Sequence, residues 1–373
     1  MCRILSIIIL LVVSISADSH AQLIHPATSP VFNEDRTVTF RLRAPEADNV
    51  RLFAEFLPEA QPMVKNTEGI WELTVEPDEP KVYYYSFVVD GVNVMDPQNP
   101  VVASSLLPSM SLLSYPGEKP QFYDEKSVPH GVIHTHHYFS KLEQANRSLI
   151  VYTPPDYDPH REYPVLYLLH GYTDHERGWI DLGKAHFILD NLIAEKKAVS
   201  MIVVMPFGYS EPQPGDTPDE NDFLSQFWQW IPHVFPRYEQ DIINEVIPLV
   251  ESSYSTGFGA ENRAVAGLSM GGGQSLYIGL NNLDTFSWIG AFSSAVSMDL
   301  HGPLISNSDN INDHCKLLWI ACGEDDFLLD DNNDFITVLK EKDIDHEYYL
   351  TEGPHTWWVW HRYLRDFAPR LFK

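Results

Sequence analysis

The chain has 373 residues, with 25 Lys and Arg against 52 Asp and Glu, a formal charge of -27. That balance argues against nucleic acid and anionic membrane surfaces as partners and favours solubility. With 44% hydrophobic and 12% aromatic residues, the chain can build real cores at a length comfortable for two domains.

Residues 1–21 read as a secretory signal peptide. Arg3 gives the basic start, Ile4 to Val13 the apolar run, and Ser19-His20-Ala21 the small-x-small pattern before Gln22. A membrane anchor would need roughly twenty apolar residues. Cys2 lies before the run, whereas a lipid-attachment cysteine would follow it. Of the other two cysteines, Cys315 and Cys322 flank a strand-like run that would hold them roughly 20 Å apart, beyond disulfide reach. They are also a poor metal site.

Residues 22–105 alternate short β-rich runs with turn residues: Thr37 to Leu42, Val50 to Ala54, Ile70 to Val75 and Val82 to Val89. Their period-2 pattern predicts a small immunoglobulin-like antiparallel β-sandwich, with Asp90-Gly91 as a hairpin turn. Phe40-Arg41-Leu42-Arg43-Ala44-Pro45, Gly69-Ile70-Trp71, Tyr84 to Gly91 and Asp96-Pro97-Gln98-Asn99-Pro100 make this stretch resemble carbohydrate-binding module family 48. Sugar-binding members of that family offer exposed tryptophans. Trp71, the one tryptophan here, sits in an alternating strand where core packing is expected, so the domain is expected to prop or shape a neighbouring site.

Residues 106–128, rich in Ser, Leu, Pro and Gly without clear periodicity, read as a linker lying against a domain surface. In 129–373 two strands come first, between His130 and Leu149. His134 and His136 share a strand face there, but no further ligand sits nearby in sequence, and an ordinary strand is the reading. Val165 to Leu169 is then a continuous apolar run of the kind buried on both faces of a parallel sheet. Strand and helix alternate from there: a helix from about Lys184 to Glu195, a strand over Met201 to Met205, a helix from Pro236 to Tyr254, and strands at Ala264 to Ala266, Trp288 to Phe292 and Leu317 to Ala321. The expected class is α/β, a doubly wound parallel sheet.

In such sheets ligands sit beyond the carboxyl ends of the strands. Those positions hold His170-Gly171-Tyr172, Gly267-Leu268-Ser269-Met270-Gly271, Gly323-Glu324-Asp325-Asp326 and Gly353-Pro354-His355. The second is Gly-x-Ser-x-Gly between a strand and a helix, the setting of a nucleophile elbow, and the order Ser, acid, His is that of the α/β-hydrolases. A serine hydroxyl is a weak nucleophile until a base takes its proton, which His355 can do near neutral pH. A carboxylate on the other ring nitrogen fixes the tautomer. The developing oxyanion needs preorganised donors, assigned to the backbone N–H groups of Met270 and Tyr172.

Leu168-Leu169-His170-Gly171, Ile188 to Ala194, Met201 to Pro206, Gly267 to Gly272, Cys322 to Phe327 and Gly353-Pro354-His355-Thr356-Trp357 make residues 130–373 resemble carbohydrate esterase family 1. That resemblance implies an α/β-hydrolase esterase of the feruloyl and acetyl xylan esterase type. Its catalytic acid falls three positions after the glycine, at Asp326, with Asp325 as the alternative. The loop after His170-Gly171 lacks the family's usual glycines.

The segment from Gly208 to Trp230 reads as a lid, with Phe227, Trp228 and Trp230 either walling an aromatic acyl group or packing on the helix behind them. His170, Trp179 and Trp357 complete the expected substrate contacts. Asp330 to Asp334 lacks the later glycine and bidentate glutamate of a calcium loop and reads as a helix N-terminus. The chemistry calls for no cofactor and no metal. The expectation is a secreted serine carboxylesterase acting on feruloylated xylan. Acetylated xylan is the second substrate, and a siderophore esterase or a non-catalytic polysaccharide binder are the further alternatives.

Overall fold

The computed structural model describes residues 27–103, 110–210 and 223–373. The expected signal peptide and the 211–222 part of the expected lid lie outside the described residues. The N-terminal unit is a two-sheet antiparallel sandwich. One sheet runs Val31–Phe32, Val38–Arg43, Ile70–Val75, Val64–Lys65. The other runs Gln61–Pro62, Val50–Ala54, Val82–Val89, Met110–Ser114, Val102–Ala103, with Val92–Val94 also paired to Val82–Val89. Alternate residues point inward, so Phe40, Leu42, Leu52, Tyr85 and Phe87 form the core between the sheets. The hairpin at Asp90 (φ 48) and Gly91 (φ 89) has positive φ at both central positions, as a two-residue primed turn requires. Trp71 is buried, and its indole N–H donates to Ala44 O at 2.9 Å.

The expected linker over 106–128 is corrected in part. Met110–Ser114 is a strand, paired antiparallel with both Val82–Val89 and Val102–Ala103. Its Ser, Leu and Pro neighbours mask the short run Ser111-Leu112-Leu113. Successive side chains of a strand face opposite ways. Leu113 accordingly enters the sandwich core, while Leu112 joins the core of the second domain together with Ala103 and Tyr123. Val82 and Tyr84 pack against that second core as well.

The second domain is one eight-stranded sheet. Its strands are β1 (Val132–Ser140), β2 (Ala145–Thr153), β3 (Val165–Leu169), β4 (Ile202–Pro206), β5 (Arg263–Leu268), β6 (Trp288–Phe292), β7 (Leu317–Gly323) and β8 (Glu347–Thr351). The order is β1-β2-β4-β3-β5-β6-β7-β8, with β1, β2 and β4 joined antiparallel and every other neighbour parallel. β3 to β7 are buried along their whole length, apart from Arg263 at the start of β5. Helices cover both faces: α1 (Ala185–Ala194), α2 (Phe223–Asp241), α3 (Met270–Asn281), α4 (Leu329–Glu341) and α5 (Trp357–Phe367).

One helix boundary differs from expectation. The sequence suggests a start near Pro236, because proline suits the first helical position. α2 instead begins by Phe223 and runs through Pro232 and Pro236, then passes through a π-helical turn at Ile242–Val246 into Ile247–Ser253. An interior proline costs about 3 kcal/mol. The fully buried face of Ile231, Val234, Phe235 and Tyr238 offsets that cost. Asp330 and Asp331 lie in the first turn of α4, where acids suit the dipole.

Candidate active site

β5 ends at Leu268 and α3 starts at Met270, leaving Ser269 alone on the turn with φ 53 and ψ -116. Strain of this kind in a non-glycine residue persists only where its surroundings hold it. Ser269 N–H donates to Phe292 O at 2.8 Å, while Ser269 O accepts from Gly273 at 3.1 Å and Ala295 at 2.9 Å. Two glycines are needed for the close approach of strand and helix. A Cβ on Gly267 would lie 2.5 Å from Gly271 O, and one on Gly271 would lie 2.5 Å from His170 O. Met270 opens α3, so its N–H is one of the first-turn donors without an intrahelical acceptor.

The acid and the histidine come from the loops after β7 and β8. Backbone bonds from Glu324 to Thr351 O (2.7 Å) and from Asp325 to Gly353 O (3.3 Å) tie these loops together. His355 Nδ1 lies 2.9 Å from both Asp326 oxygens. The same carboxylate accepts the Leu328 N–H at 2.9 Å. Burial acts to raise Asp326, but the His355 hydrogen bond and charge and the Leu328 amide outweigh it and hold the carboxyl below its ordinary value. Asp325 is exposed. The structure therefore brings Asp326, and not Asp325, to the histidine. Phe327 and Trp360 flank the imidazole at 4.5 and 4.8 Å between ring centroids.

Ser269 and His355 open into one cavity of about 210 Å³, lined also by Gly171, Tyr172, Asp174, Trp357 and Trp360. Among the described residues no hydrogen bond joins Ser269 Oγ to His355, as is common before substrate draws such a pair together. The loop bearing Tyr172 is clamped by Tyr209, whose hydroxyl accepts from Thr173 N–H and donates to Gly171 O at 3.4 Å.

Of the expected substrate contacts, Trp357 lines this cavity, together with Tyr84 of the sandwich. The others do not. His170 is 2% exposed and spends both ring nitrogens on backbone, with Nδ1 donating to Gly171 O and Nε2 accepting from Gly208 N–H, both at 2.8 Å. Burial lowers it to about 4, so it stays neutral and positions loops. Trp179 is fully buried, with its N–H on Leu169 O at 2.9 Å and its ring edge-on to Trp357. Trp230 packs against Tyr172 and Tyr209. Trp228 lines a separate cavity with Met298, Asp331 and Asp334. Aromatic residues look alike in sequence whether they wall a site or support its wall. Trp179→Ala is accordingly expected to cost about 3–5 kcal/mol of stability in a denaturant titration. A shift confined to KM, with stability intact, would mark it as a substrate contact after all.

Four cavity residues escaped the sequence. Trp360 lies one turn beyond His355-Thr356-Trp357, and Asp174 carries the signal of an acid just beyond a buried strand. Glu55 and Tyr84 belong to the sandwich, and no local pattern places them beside Ser269.

The fold and the site are of the kind found in serine carboxylic-ester hydrolases. The Esterase family model matches residues 140–371, and the chain belongs to that family; residues 27–102 match carbohydrate-binding module 48, the isoamylase N-terminal domain. The chain is 30% identical over 355 residues to an endo-1,4-beta-xylanase/feruloyl esterase of Xylanibacter ruminicola, covering 92% of this chain and 46% of that protein. It thus spans about half the length of that relative. An acetyl esterase of Caldicellulosiruptor saccharolyticus is 24% identical over 273 residues, covering 61% of this chain and 94% of its own. Among solved structures, a CE1 ferulic acid esterase from Anaeromyces mucronatus in complex with ferulic acid superposes with a TM-score of 0.59 at 28% identity, covering 68% and 96% of the two chains.

Proposed function

We propose that the protein is an exported feruloyl esterase that releases hydroxycinnamic acids from arabinoxylan, with Ser269, His355 and Asp326 as its catalytic triad. The observation that carries the triad is His355, held by Asp326, opening into the same cavity as a strained Ser269. The acyl group rests on the likeness to the feruloyl esterases above. Export rests on the basic, apolar, small-residue order of residues 1–21.

In this reading Ser269 Oγ attacks the ester carbonyl carbon while His355 Nε2 takes its proton. The negative oxygen so formed is held by the N–H groups of Met270 and Tyr172. Collapse breaks the bond to the sugar oxygen, which leaves with the proton from His355, and an acyl-serine remains. Water attacks the acyl-serine with His355 again as base, freeing the carboxylic acid and Ser269. Asp326 keeps Nδ1 protonated throughout.

Acetyl release is the second reading, favoured by the acetyl esterase relative. Side-by-side turnover of feruloylated and acetylated xylan oligosaccharides decides between them. The first should be hydrolysed with the higher kcat/KM, and the reverse order would transfer the assignment.

A further inference from the structure

The cavity at Ser269 is built by both domains. Tyr84, on the strand Val82–Val89, and Glu55, just past the end of its neighbour Val50–Ala54, reach it from the sandwich and are locked to each other: Tyr84 N–H donates to a Glu55 carboxylate oxygen at 2.8 Å, and Glu55 N–H donates to Tyr84 O at 3.1 Å. Trp357, from the helix that follows His355, lines the cavity beside Tyr84, and its indole acts on the Tyr84 hydroxyl. A phenol hydroxyl carries one proton to donate and lone pairs to accept with.

Asp174 faces them from the loop after β3. It is 9% exposed yet lines the cavity. A Cβ built on Gly171 would lie 3.5 Å from Ser269 Cβ and 3.6 Å from Asp174 Oδ2, so the serine and the carboxyl flank the same glycine. Among the described residues the Gly171 backbone favours the charged form of Asp174, and burial opposes it. Burial raises it to about 7. A buried carboxyl costs stability unless something hydrogen-bonds it, and the ester chemistry proposed above has no use for it.

We propose that Asp174 and Tyr84, one from each domain, form a recognition site for a hydroxyl group of the ester substrate, with Glu55 behind Tyr84 as its support. The carboxyl and the phenol together offer one donor and acceptors, the complement of an alcohol or phenol O–H. That hydroxyl has two sources, the phenolic group of the acyl part or a sugar hydroxyl of the alcohol part. This inference rests on the ester-hydrolase reading and adds a specificity determinant to it.

Two ratios of kcat/KM test it. One compares methyl 4-hydroxycinnamate with methyl cinnamate, the other the arabinosyl with the methyl ester of one acid. Sites that hydrogen-bond a substrate hydroxyl discriminate strongly against its absence, so at least one ratio should favour the hydroxyl-bearing ester in the wild type. That ratio should fall by about 10-fold or more in Asp174→Ala and in Tyr84→Phe, and Asp174→Asn, which keeps a donor and an acceptor, should restore part of it. Collapse of the first ratio assigns the phenol, and collapse of the second assigns the sugar. If both ratios stay at wild-type values in Asp174→Ala and Tyr84→Phe, even with every rate reduced, the inference is overturned. Tyr84→Phe removes one oxygen and keeps the packing, so it decides the matter if Asp174→Ala does not fold. A wild type inactive on cinnamoyl esters but active on 4-nitrophenyl acetate would instead refute the feruloyl reading, and the second ratio is then taken with acetyl esters.

Discussion

Replacing Ser269 with alanine is expected to lower kcat on the order of 10⁶-fold on 4-nitrophenyl acetate and methyl ferulate alike. The variant lacks the oxygen that forms the acyl-enzyme, while the Met270 and Tyr172 amides and the cavity stay in place, so a small residual rate over water remains. The strained backbone at φ 53 is held by the bonds to Phe292, Gly273 and Ala295, none of which uses the hydroxyl. Thermal unfolding should therefore match the wild type. Retained turnover in a correctly folded variant would remove Ser269 from the chemistry.

The second large effect is at the acid. Asp326→Asn should cost about 10⁴-fold in kcat, because an amide in that position supports the wrong tautomer of His355. Asp325→Asn, on an exposed side chain, should leave the rate near wild type. The opposite pattern would exchange the two residues. Acid titration supplies an independent reading. The folded Asp326 carboxyl lies below its ordinary value, so in the acid range the unfolded chain binds the extra proton first. The stability it contributes is fully present above the unfolded carboxylate value of about 4. It is lost as the pH falls through the lower folded value, and Asp326→Asn should flatten that part of the stability profile.

The elements that sequence revealed best are those whose signal is local. Gly267 to Gly271 carries its own geometric demand for glycine. The strands Val50–Ala54, Ile70–Val75, Val82–Val89 and Trp288–Phe292 fall where the alternation and the apolar runs put them. What sequence left open depends on contacts between distant segments. His170 is a polar residue beside a catalytic motif, and only its two backbone partners show that it braces loops rather than binds substrate. α2 runs through two prolines because of what its buried face packs against, which local propensity does not contain. Glu55 and Tyr84 reach the cavity through the docking of one domain on another, for which a single chain has no periodic signature.

The strand Met110–Ser114 has a consequence beyond the site. Its adjacent leucines are divided between two hydrophobic interiors, Leu113 in the sandwich and Leu112 in the hydrolase. The sandwich is thus not a cassette that evolution or an engineer can clip off and transplant. A graft that ended before this strand would leave an open sheet edge on one partner and a hole in the other, so any exchange between relatives must carry the seam along with the module.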